Sequence, residues 1–272
     1  MSRDDNGAVA GLVTLLTDFG HRDYYVGAVK GTLLRLAPRA VLVDLSHDVE
    51  PGDVEGAADL LAGAAPSFPP GTVHLAVVDP GVGSARRMAI VEAGGHLFVA
   101  PDNGLLTHFL ERGAAWSVTR TDLFLRGPGA TFHGRDRFAP IAAALVRGDH
   151  PAALGEPLAH PVRLDHPSPR REEKAGGLVL HGRVARVDRF GNLVTDLPAE
   201  WLAAGGWAVV TAEVAGRRAE RLVTHYADLA PGEPGLMVGS LATLELALRD
   251  ASLAAAWGVA RGAPVRVEAR SG

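Results

Sequence analysis

The chain has 272 residues, of which 47% are hydrophobic and 21% charged, an ordinary globular composition with enough apolar residues for a sizeable core. The formal net charge is −4, and no basic stripe of the kind that nucleic-acid binding requires is visible. The absence of cysteine excludes disulfides, thiolate catalysis and cysteine-ligated metal centres. The sequence shows neither a signal-peptide pattern nor an apolar run of about 18 residues, so we expect a cytoplasmic protein without a membrane partner.

The first half of the chain alternates apolar runs with helical patterns. The runs are rich in Val, Leu and Ile and end in turn residues: Leu12–Phe19, Ala40–His47, Thr72–Pro80 and Ala89–Gly104. Tyr25, Val29, Leu33 and Leu36 recur at helical spacing, and Val54–Ala64 reads as a second helix. This order predicts an α/β fold with a mostly parallel sheet and flanking helices.

The pattern changes after residue 160. Residues 161–176 combine prolines and charges without periodicity and are predicted to be a linker between an N-terminal α/β domain, 1–160, and a second domain, 177–272. The second domain alternates apolar and polar residues and turns at glycines, which predicts a smaller antiparallel, barrel-like β domain. Within it, Gly239–Gly258 is predicted to be a strand leading into a short helix.

Aspartates follow three of the predicted strands. Asp18, Asp79 and Asp102 stand where the strands of a parallel sheet end, and ligands bind at that edge in open α/β sheets. Three acids there favour a shared cleft. The alternative is that aspartate ends strands because it suits turns and helix caps.

The segment "TDFGHRDYY", Thr17–Tyr25, places Asp18 and Asp23 on either side of a glycine turn. An ionised carboxylate can accept both hydroxyls of a ribose, and a second carboxylate can meet a ligand amine. Alternatively, Asp23 caps the following helix. Both roles are compatible.

The segment "VVDPGVGSARR", Val77–Arg87, has glycines like a phosphate-binding loop but lacks the residues that such a loop needs. It does not match the dinucleotide fingerprint, because Arg86 stands at the third glycine position, and it is not a P-loop, because no Gly-Lys-Ser/Thr follows. Asp79 and Arg86 stand seven positions apart, and we expect them to meet if the turn doubles back. A purely structural ion pair is the alternative.

Two further segments contain candidate site residues. His133 lies in "GATFHGRDRFAP", where neighbouring glycines would allow close approach of a ligand to the backbone. Asp188, Phe190 and Asn192 lie in "DRFGNLVTDLP", where an aromatic ring and an amide suit the stacking and edge recognition of a purine. The same string could also be a generic β-turn.

Together, the strings "TDFG…D", "VVDPGVGS.R", "APDNGLL", "TFHGRD" and "D.FGNLVT" resemble the S-adenosyl-L-methionine (SAM) hydroxide adenosyltransferases. These adenosine-forming SAM hydrolases are relatives of the fluorinating and chlorinating enzymes. The resemblance implies an α/β domain followed by a smaller β domain. It also implies a homotrimer with active sites between one subunit's first domain and the next subunit's second. SAM and water are the implied substrates, with no cofactor and no metal.

The resemblance also implies roles for individual residues. Asp79, Arg86 and His133 match the set that holds and activates a water, and Asp18 matches the carboxylate that binds the ribose hydroxyls. The positions that meet methionine correspond to Asp23, Asp188 and Ser240, and those of the adenine pocket to Phe190 and Asn192. Halogenating relatives carry Tyr at the position of Asp79 and Tyr-Ser at His133 and Gly134. Gly52 falls near a tryptophan of a halogenase, which implies a more open wall here.

Three other functions are compatible with parts of the sequence. A metal-dependent phosphohydrolase or nucleosidase could use hard-metal ligands from among Asp18, His21, Asp23, His133 and Asp136. A non-catalytic SAM-binding module could retain the adenine pocket without turnover. A halogenase is disfavoured by Asp79, His133 and Gly134.

Overall fold

The computed structural model describes residues 11–127, 129–165, 167–203, 206–207 and 209–271. The chain divides into two compact units, Met1–Asp165 and His166–Gly272, each with its own hydrophobic core. The first is an α/β unit and the second an antiparallel β unit, so the predicted fold class is confirmed. Within the described ranges, no helix is long and apolar enough to cross a membrane.

The first unit begins with the predicted alternation of strands and helices. Its elements are β1 Leu12–Thr17, α1 Tyr25–Leu36, β2 Val41–Ser46, α2 Val54–Ala64, β3 Val73–Val77, β4 Met88–Ala93, β5 His96–Pro101, β6 Ala114–Val118, α3 Ala139–Val146, α4 Pro151–Leu154 and β7 Gly155–Pro157. A π-helical turn, Gly134–Phe138, leads directly into α3. Both predicted helices, α1 and α2, are confirmed.

Among the described residues, seven strands form the sheet of this unit in the order β2-β1-β3-β5-β4-β6-β7. The first four strands in this order run parallel to one another, and the remaining pairings, β5–β4, β4–β6 and β6–β7, are antiparallel. The run Ala89–Gly104 is therefore two strands rather than one. Gly94 and Gly95, with φ of 59° and 81°, form the two-residue turn of the β4–β5 hairpin.

Helices cover both faces of the parallel strands. On one face, Leu15 and Val77 belong to a core cluster with Val29 of α1 and Ile141 of α3. On the other, Leu16 belongs to a cluster with residues of α2. Because strands covered on both faces leave little room for polar side chains, polar groups that act on a ligand are expected mainly at the strand ends.

The second unit is a nearly barrel-shaped antiparallel sheet. Its elements are β8 Arg170–Lys174, β9 Gly177–Val187, β10 Leu193–Pro198, α5 Glu200–Ala203, β11 Val209–Val214, β12 Arg217–Ala219, β13 Pro234–Val238, β14 Thr243–Leu248, α6 Leu253–Trp257 and β15 Pro264–Arg270. The strand-then-helix prediction for Gly239–Gly258 is confirmed by β14 and α6. Strand β8, which pairs with β9, lies inside the segment 161–176 that the sequence predicted as a linker.

A buried histidine pair spans the middle of the first sheet. Thr14 Oγ1 lies 2.7 Å from His74 Nδ1, and His74 Nε2 lies 3.2 Å from His96 Nδ1. The His74 ring stacks on Phe98 at 4.8 Å between centroids. Burial, with a smaller contribution from His96, lowers the pKa of His74 to about 4. The folded protein therefore keeps this ring neutral at pH values where the unfolded chain would protonate it.

This difference predicts acid sensitivity of the fold. The pKa of His74 in the folded protein is below the unfolded value of about 6.5. The stability that the neutral ring contributes to the fold is therefore complete above that pH and is lost as the pH falls toward 4. We expect the free energy of unfolding to fall by about 3 kcal/mol more in the wild type than in His74→Gln between pH 7 and pH 4. Urea titrations at several pH values measure this slope. The exposed His225→Asn variant should keep the wild-type slope, and an unchanged slope in His74→Gln would contradict the prediction.

Candidate functional site

Strands β1 and β3 place two aspartates at one edge of the first sheet. Thr17 pairs with Val77 in parallel register, so Asp18 and Asp79 follow neighbouring strand ends. Asp18 Oδ2 accepts a hydrogen bond of 2.9 Å from the backbone N–H of Gly52, whose φ is 76°. Gly52, predicted to leave an open wall, therefore also orients the Asp18 carboxylate.

The turn between β3 and β4 brings Asp79 and Arg86 together, as predicted. Backbone bonds from Val82 to Asp79 and from Ser84 to the Gly81 carbonyl, each 3.1 Å long, reverse the chain. Arg86 Nε donates to Asp79 Oδ1 at 2.6 Å, and Nη2 donates to Oδ2. Both side chains are largely buried, with 11% and 6% of their surface exposed. The pair is thus bidentate and shielded from water, which is the stronger form of this contact.

Arg86 also contacts His133, which comes from a distant segment and directly precedes the π-helical turn Gly134–Phe138. Arg86 Nη2 lies 2.9 Å from His133 Nδ1. A guanidinium only donates hydrogen bonds, so Nδ1 accepts, and the neutral ring carries its proton on Nε2. His133 Nε2 is buried and makes no hydrogen bond within the described part of the chain. It is therefore a donor without a protein partner there.

The charge environment keeps His133 neutral. Burial lowers the pKa of its imidazole, and the nearby cations Arg137 and Arg86 lower it further. Asp79 and the backbone of Ala130 act in the opposite direction but do not reverse the shift. At neutral pH the ring is consequently an uncharged hydrogen-bond donor at Nε2.

These groups line a cavity of about 220 Å³. Asp18, Asp79, Thr131 and His133 are among its polar residues, and aromatic rings including Phe19 and Tyr25 supply an apolar wall. The structure therefore brings together four of the predicted site residues: three in the lining, and Arg86 bonded to two of them. A small polar molecule and an apolar group could lie side by side here.

Other candidates lie elsewhere. Asp23 is exposed and outside the lining of this cavity, and the residue that caps α1 is Tyr24, without a side-chain bond, so the N-cap alternative for Asp23 is wrong. Asp102 also lies outside that lining. It accepts a hydrogen bond of 2.8 Å from Arg87 Nε and one of 2.8 Å from the backbone N–H of Val162, and thus connects the end of β5 to these two segments. The strand-end acids therefore do not all share one cleft.

The possible metal ligands are also dispersed. Asp136 forms a bidentate pair with Arg135 at 2.7 and 2.8 Å, and His21 lies 3.8 Å from Asp48 on the exposed surface. Over the described ranges, no three His, Asp or Glu side chains are grouped so that they could hold a metal ion. The residues of the metal-dependent alternative therefore do not assemble into one site.

The second unit presents the turn Asp188–Asn192 between β9 and β10. Asp188 Oδ1 accepts bonds of 2.9 Å from the backbone N–H groups of Phe190 and Asn192, and Oδ2 accepts from Asn192 Nδ2 at 3.0 Å. Phe190 stands at the tip of the turn, 76% exposed. A rigid turn thus holds an exposed aromatic ring beside a fixed amide.

A second cavity, of about 770 Å³, lies at this turn. Asp188, Phe190, Asn192 and Ser240 all line it, so these predicted residues are brought together. Asp188, predicted to meet a ligand, already accepts three bonds from its own turn. Its proposed contact with methionine stays a prediction, as does that of Ser240.

Two further residues of this cavity were missed by the sequence reasoning. Asn192 Nδ2 donates to Tyr226 Oη at 3.3 Å, and Tyr226 donates to Glu245 Oε1 at 2.7 Å. Glu245 is only 5% exposed. Burial, and next the bond to Glu245, raise the pKa of the Tyr226 hydroxyl, which therefore stays a donor. The available signal was a charged residue inside the apolar strand "TLELAL".

Considered separately, the two units define a class of protein. The first has a buried carboxylate–arginine–histidine cluster beside a small cavity, an arrangement typical of enzymes rather than of structural proteins. The second has a ring and an amide suited to a heteroaromatic ligand. The fold and the two sites are those of an α/β enzyme that acts on a small molecule.

Comparison with known proteins identifies the family. The model of the SAM hydroxide adenosyltransferase N-terminal domain matches residues 13–155, and that of the C-terminal domain matches residues 182–266. The chain belongs to the SAM hydroxide adenosyltransferase family. An (R)-S-adenosyl-L-methionine hydrolase from Salinispora tropica is 40% identical over 94% of this chain and 97% of its own. One from Thermus thermophilus is 39% identical over 94% and 98%.

More distant relatives and solved structures agree with this placement. A fluorinase from an Actinoplanes species is 28% identical over 94% of this chain and 97% of its own. A conserved protein from Thermotoga maritima has a TM-score of 0.85 at 33% identity, covering 94% of this chain and 99% of that one. A conserved protein of known structure from Thermus thermophilus has a TM-score of 0.76 at 35% identity, with coverage of 94% and 99%.

The Asp188–Asn192 turn depends on Gly191. Its φ is 83°, and a Cβ there would lie 2.0 Å from Ser252 Oγ at the start of α6. We expect Gly191→Ala to lower the free energy of unfolding by about 2 kcal/mol more than Gly216→Ala, because overpacking is added to the backbone strain. Gly216 has a similar φ of 74°, but its Cβ would meet nothing. Urea unfolding monitored by fluorescence measures both, since three of the four tryptophans lie in this unit. Equal losses of unfolding free energy in the two variants would contradict the predicted overlap between a Cβ at position 191 and Ser252.

Proposed function

We propose that this protein hydrolyses SAM to adenosine and L-methionine. One observation carries the proposal: the Asp79–Arg86–His133 cluster lies at the cavity that Asp18 also lines. Membership of the family, and 40% identity to a SAM hydrolase over nearly the whole chain, support it. The water oxygen forms a bond to ribose C5′ as the C5′–S bond breaks, and the bonding electron pair leaves on sulfur.

The reaction needs few catalytic groups. Methionine leaves as a neutral thioether, so its departure requires neither a general acid nor a Lewis acid, and we propose that no metal or cofactor takes part. The main tasks are to align the water with the C5′–S bond and to accept one proton. A small cavity with an apolar wall suits a step in which the positive charge on sulfur disappears.

The direction of the hydrogen bonds in the cluster gives His133 and Asp79 different roles. His133 Nδ1 accepts from Arg86, so its Nε2–H donates to the water oxygen and holds it in place. Asp79 accepts the water proton and passes it to solvent. An aspartate carboxylate is a weak base against water, so the proton leaves during or after formation of the C–O bond rather than before it.

The remaining substrate contacts follow from the family resemblance. Asp18 binds the ribose hydroxyls through its carboxylate, which Gly52 orients. Phe190 and Asn192 bind adenine, and the methionine portion meets Asp23, Asp188 and Ser240. In the same proposal the protein is a cytoplasmic homotrimer in which the first domain of one subunit and the second domain of the next form each site. Considered by itself, the cavity of each unit contains only part of the predicted residue set.

Two features of the first cavity disfavour a halide as nucleophile. The Asp79 carboxylate repels an anion, whereas a neutral water can donate a hydrogen bond to it. A side chain at Gly134, where halogenating relatives carry serine, would place its Cβ 3.1 Å from the Phe19 ring. That ring would have to move before a serine could bind halide there.

The proposed activity is tested by incubating the purified protein with SAM in ¹⁸O-labelled water. We expect methionine and adenosine that carries the label at its 5′ oxygen, at an unchanged rate after exhaustive chelation and in the presence of chloride. A halogenated nucleoside would establish a halogenase instead. Loss of activity on chelation, restored by a divalent metal, would support the metal-dependent alternative, and binding without turnover would indicate a SAM-binding module.

The different roles of Asp79 and His133 predict different losses of kcat in their variants. Asp79→Asn should lower kcat about 100-fold or more, because the proton acceptor is lost. His133→Gln should lower it only about tenfold, because its amide N–H can still donate. Asp122→Asn is the matched control: Asp122 forms an exposed bidentate pair with Arg120, and kcat should not change. Near-normal kcat in Asp79→Asn would remove Asp79 from the base role.

The lowered pKa of His133 predicts the pH dependence of kcat. Because the ring protonates only below its ordinary value of about 6.5, kcat should be constant from pH 8 to 6.5 and decline at lower pH, as Nδ1 gains a proton and loses its bond to Arg86. Single-turnover rates across this range measure it. A decline centred above pH 7 would contradict the neutral, donating role.

A further inference from the structure

The amide of Asn192 is held by acceptors on both of its N–H groups. Asn192 Nδ2 donates to Asp188 Oδ2 at 3.0 Å and to Tyr226 Oη at 3.3 Å. Tyr226 uses its single proton in the 2.7 Å bond to Glu245 Oε1, so its oxygen can only accept from Asn192. The reverse amide orientation would set the carbonyl oxygen against the Asp188 carboxylate, which is two acceptors face to face.

The fold keeps this chain of bonds in place. Asn192 and Glu245 are 3% and 5% exposed, and they lie on or beside the paired strands β10 and β14, where Leu193 pairs with Leu246 and Val194 with Glu245. Asp188 is fixed by two backbone bonds from its own turn. The Tyr226 side chain is 47% exposed, but its hydroxyl is bonded to both Asn192 and Glu245. A network with complete bonding and buried ends resists rearrangement, so the amide polarity is determined before a ligand arrives.

The carbonyl oxygen Oδ1 is the part of the Asn192 amide left over for a ligand. It accepts no hydrogen bond from the described residues, and Asn192 lines the cavity together with Phe190. An acceptor at this point matches the exocyclic amino group of a 6-aminopurine. It opposes the carbonyl oxygen of a 6-oxopurine, where two acceptors would meet without a proton between them.

We propose that Glu245 and Tyr226 are positioning residues that, with Asp188, lock the Asn192 carbonyl toward the cavity and thereby select a 6-amino purine over a 6-oxo purine. The inference rests on the proposed function, because it concerns the base of the same substrate. A site built to bond one group rejects an analogue that leaves a buried polar atom unpaired. Neither Tyr226 nor Glu245 needs to touch the reacting atoms.

The test is the ratio of dissociation constants for inosine and adenosine, measured by calorimetry on the full-length protein. Wild type should bind adenosine at least tenfold more tightly. The double variant Asp188→Asn with Tyr226→Phe keeps an oxygen for the turn bonds but presents an N–H to Asn192, so the amide can reverse. Its ratio should fall at least tenfold. Glu245→Gln, which lets the Tyr226 hydroxyl turn toward Asn192, should give an intermediate ratio.

The matched control is Asp250→Asn, which removes a carboxylate from the lining of the same cavity but outside the bond chain. Its ratio should equal that of wild type. An equal fall in Asp250→Asn would overturn the proposal by assigning the effect to charge alone, and so would an unchanged ratio in the double variant. Nucleoside binding does not require turnover. A selective protein that fails to hydrolyse SAM would refute the proposed function alone, whereas hydrolysis with equal binding of both nucleosides would refute this inference alone.

Discussion

The first site depends on the contacts of one guanidinium. Arg86 donates to Asp79 through two nitrogens and to His133 through the second of these, and it lies 5.2 Å from the centre of the Phe138 ring. A largely buried cation needs such partners, because removing one leaves an uncompensated charge. With these contacts, Arg86 holds the carboxylate in a single orientation and assigns the imidazole tautomer. Positioning and proton placement therefore follow from the same residue.

The fold supplies what that arrangement requires. Parallel pairing of Thr17 with Val77 brings the ends of β1 and β3 side by side, so Asp18 and Asp79 line the same cavity. The turn before β4 returns Arg86 to the same edge, and the π-helical turn before α3 presents His133. Helices on both faces of these strands exclude water from the sheet and leave the strand ends as the place for polar chemistry.

Proximity along the chain determined which contacts of the site could be predicted from the sequence. The Asp79–Arg86 pair was predictable because both residues lie in one short glycine turn. Contact with His133, 47 positions further along the chain, could be expected only from family resemblance, since no local pattern brings the two segments together. Asp102 and Asp18 are both aspartates at strand ends, so residue type could not show that Asp102 bonds to a loop whereas Asp18 lines the cavity. The bond between Tyr226 and Glu245 depends on the register in which the strands pair. Alternation of apolar and polar residues predicts which side chains are buried more directly than it predicts that register.

Both sites solve the same problem, which is that a neutral group can present either a donor or an acceptor. An imidazole has two tautomers and an amide two orientations, and each choice reverses the hydrogen bond offered to a ligand. In the first unit a permanent cation makes the choice for His133. In the second, two carboxylates make it for Asn192, one directly and one through Tyr226. Charged residues that need not touch the ligand thus determine the polarity of the neutral residues that would, and this preorganisation is set during folding rather than at binding.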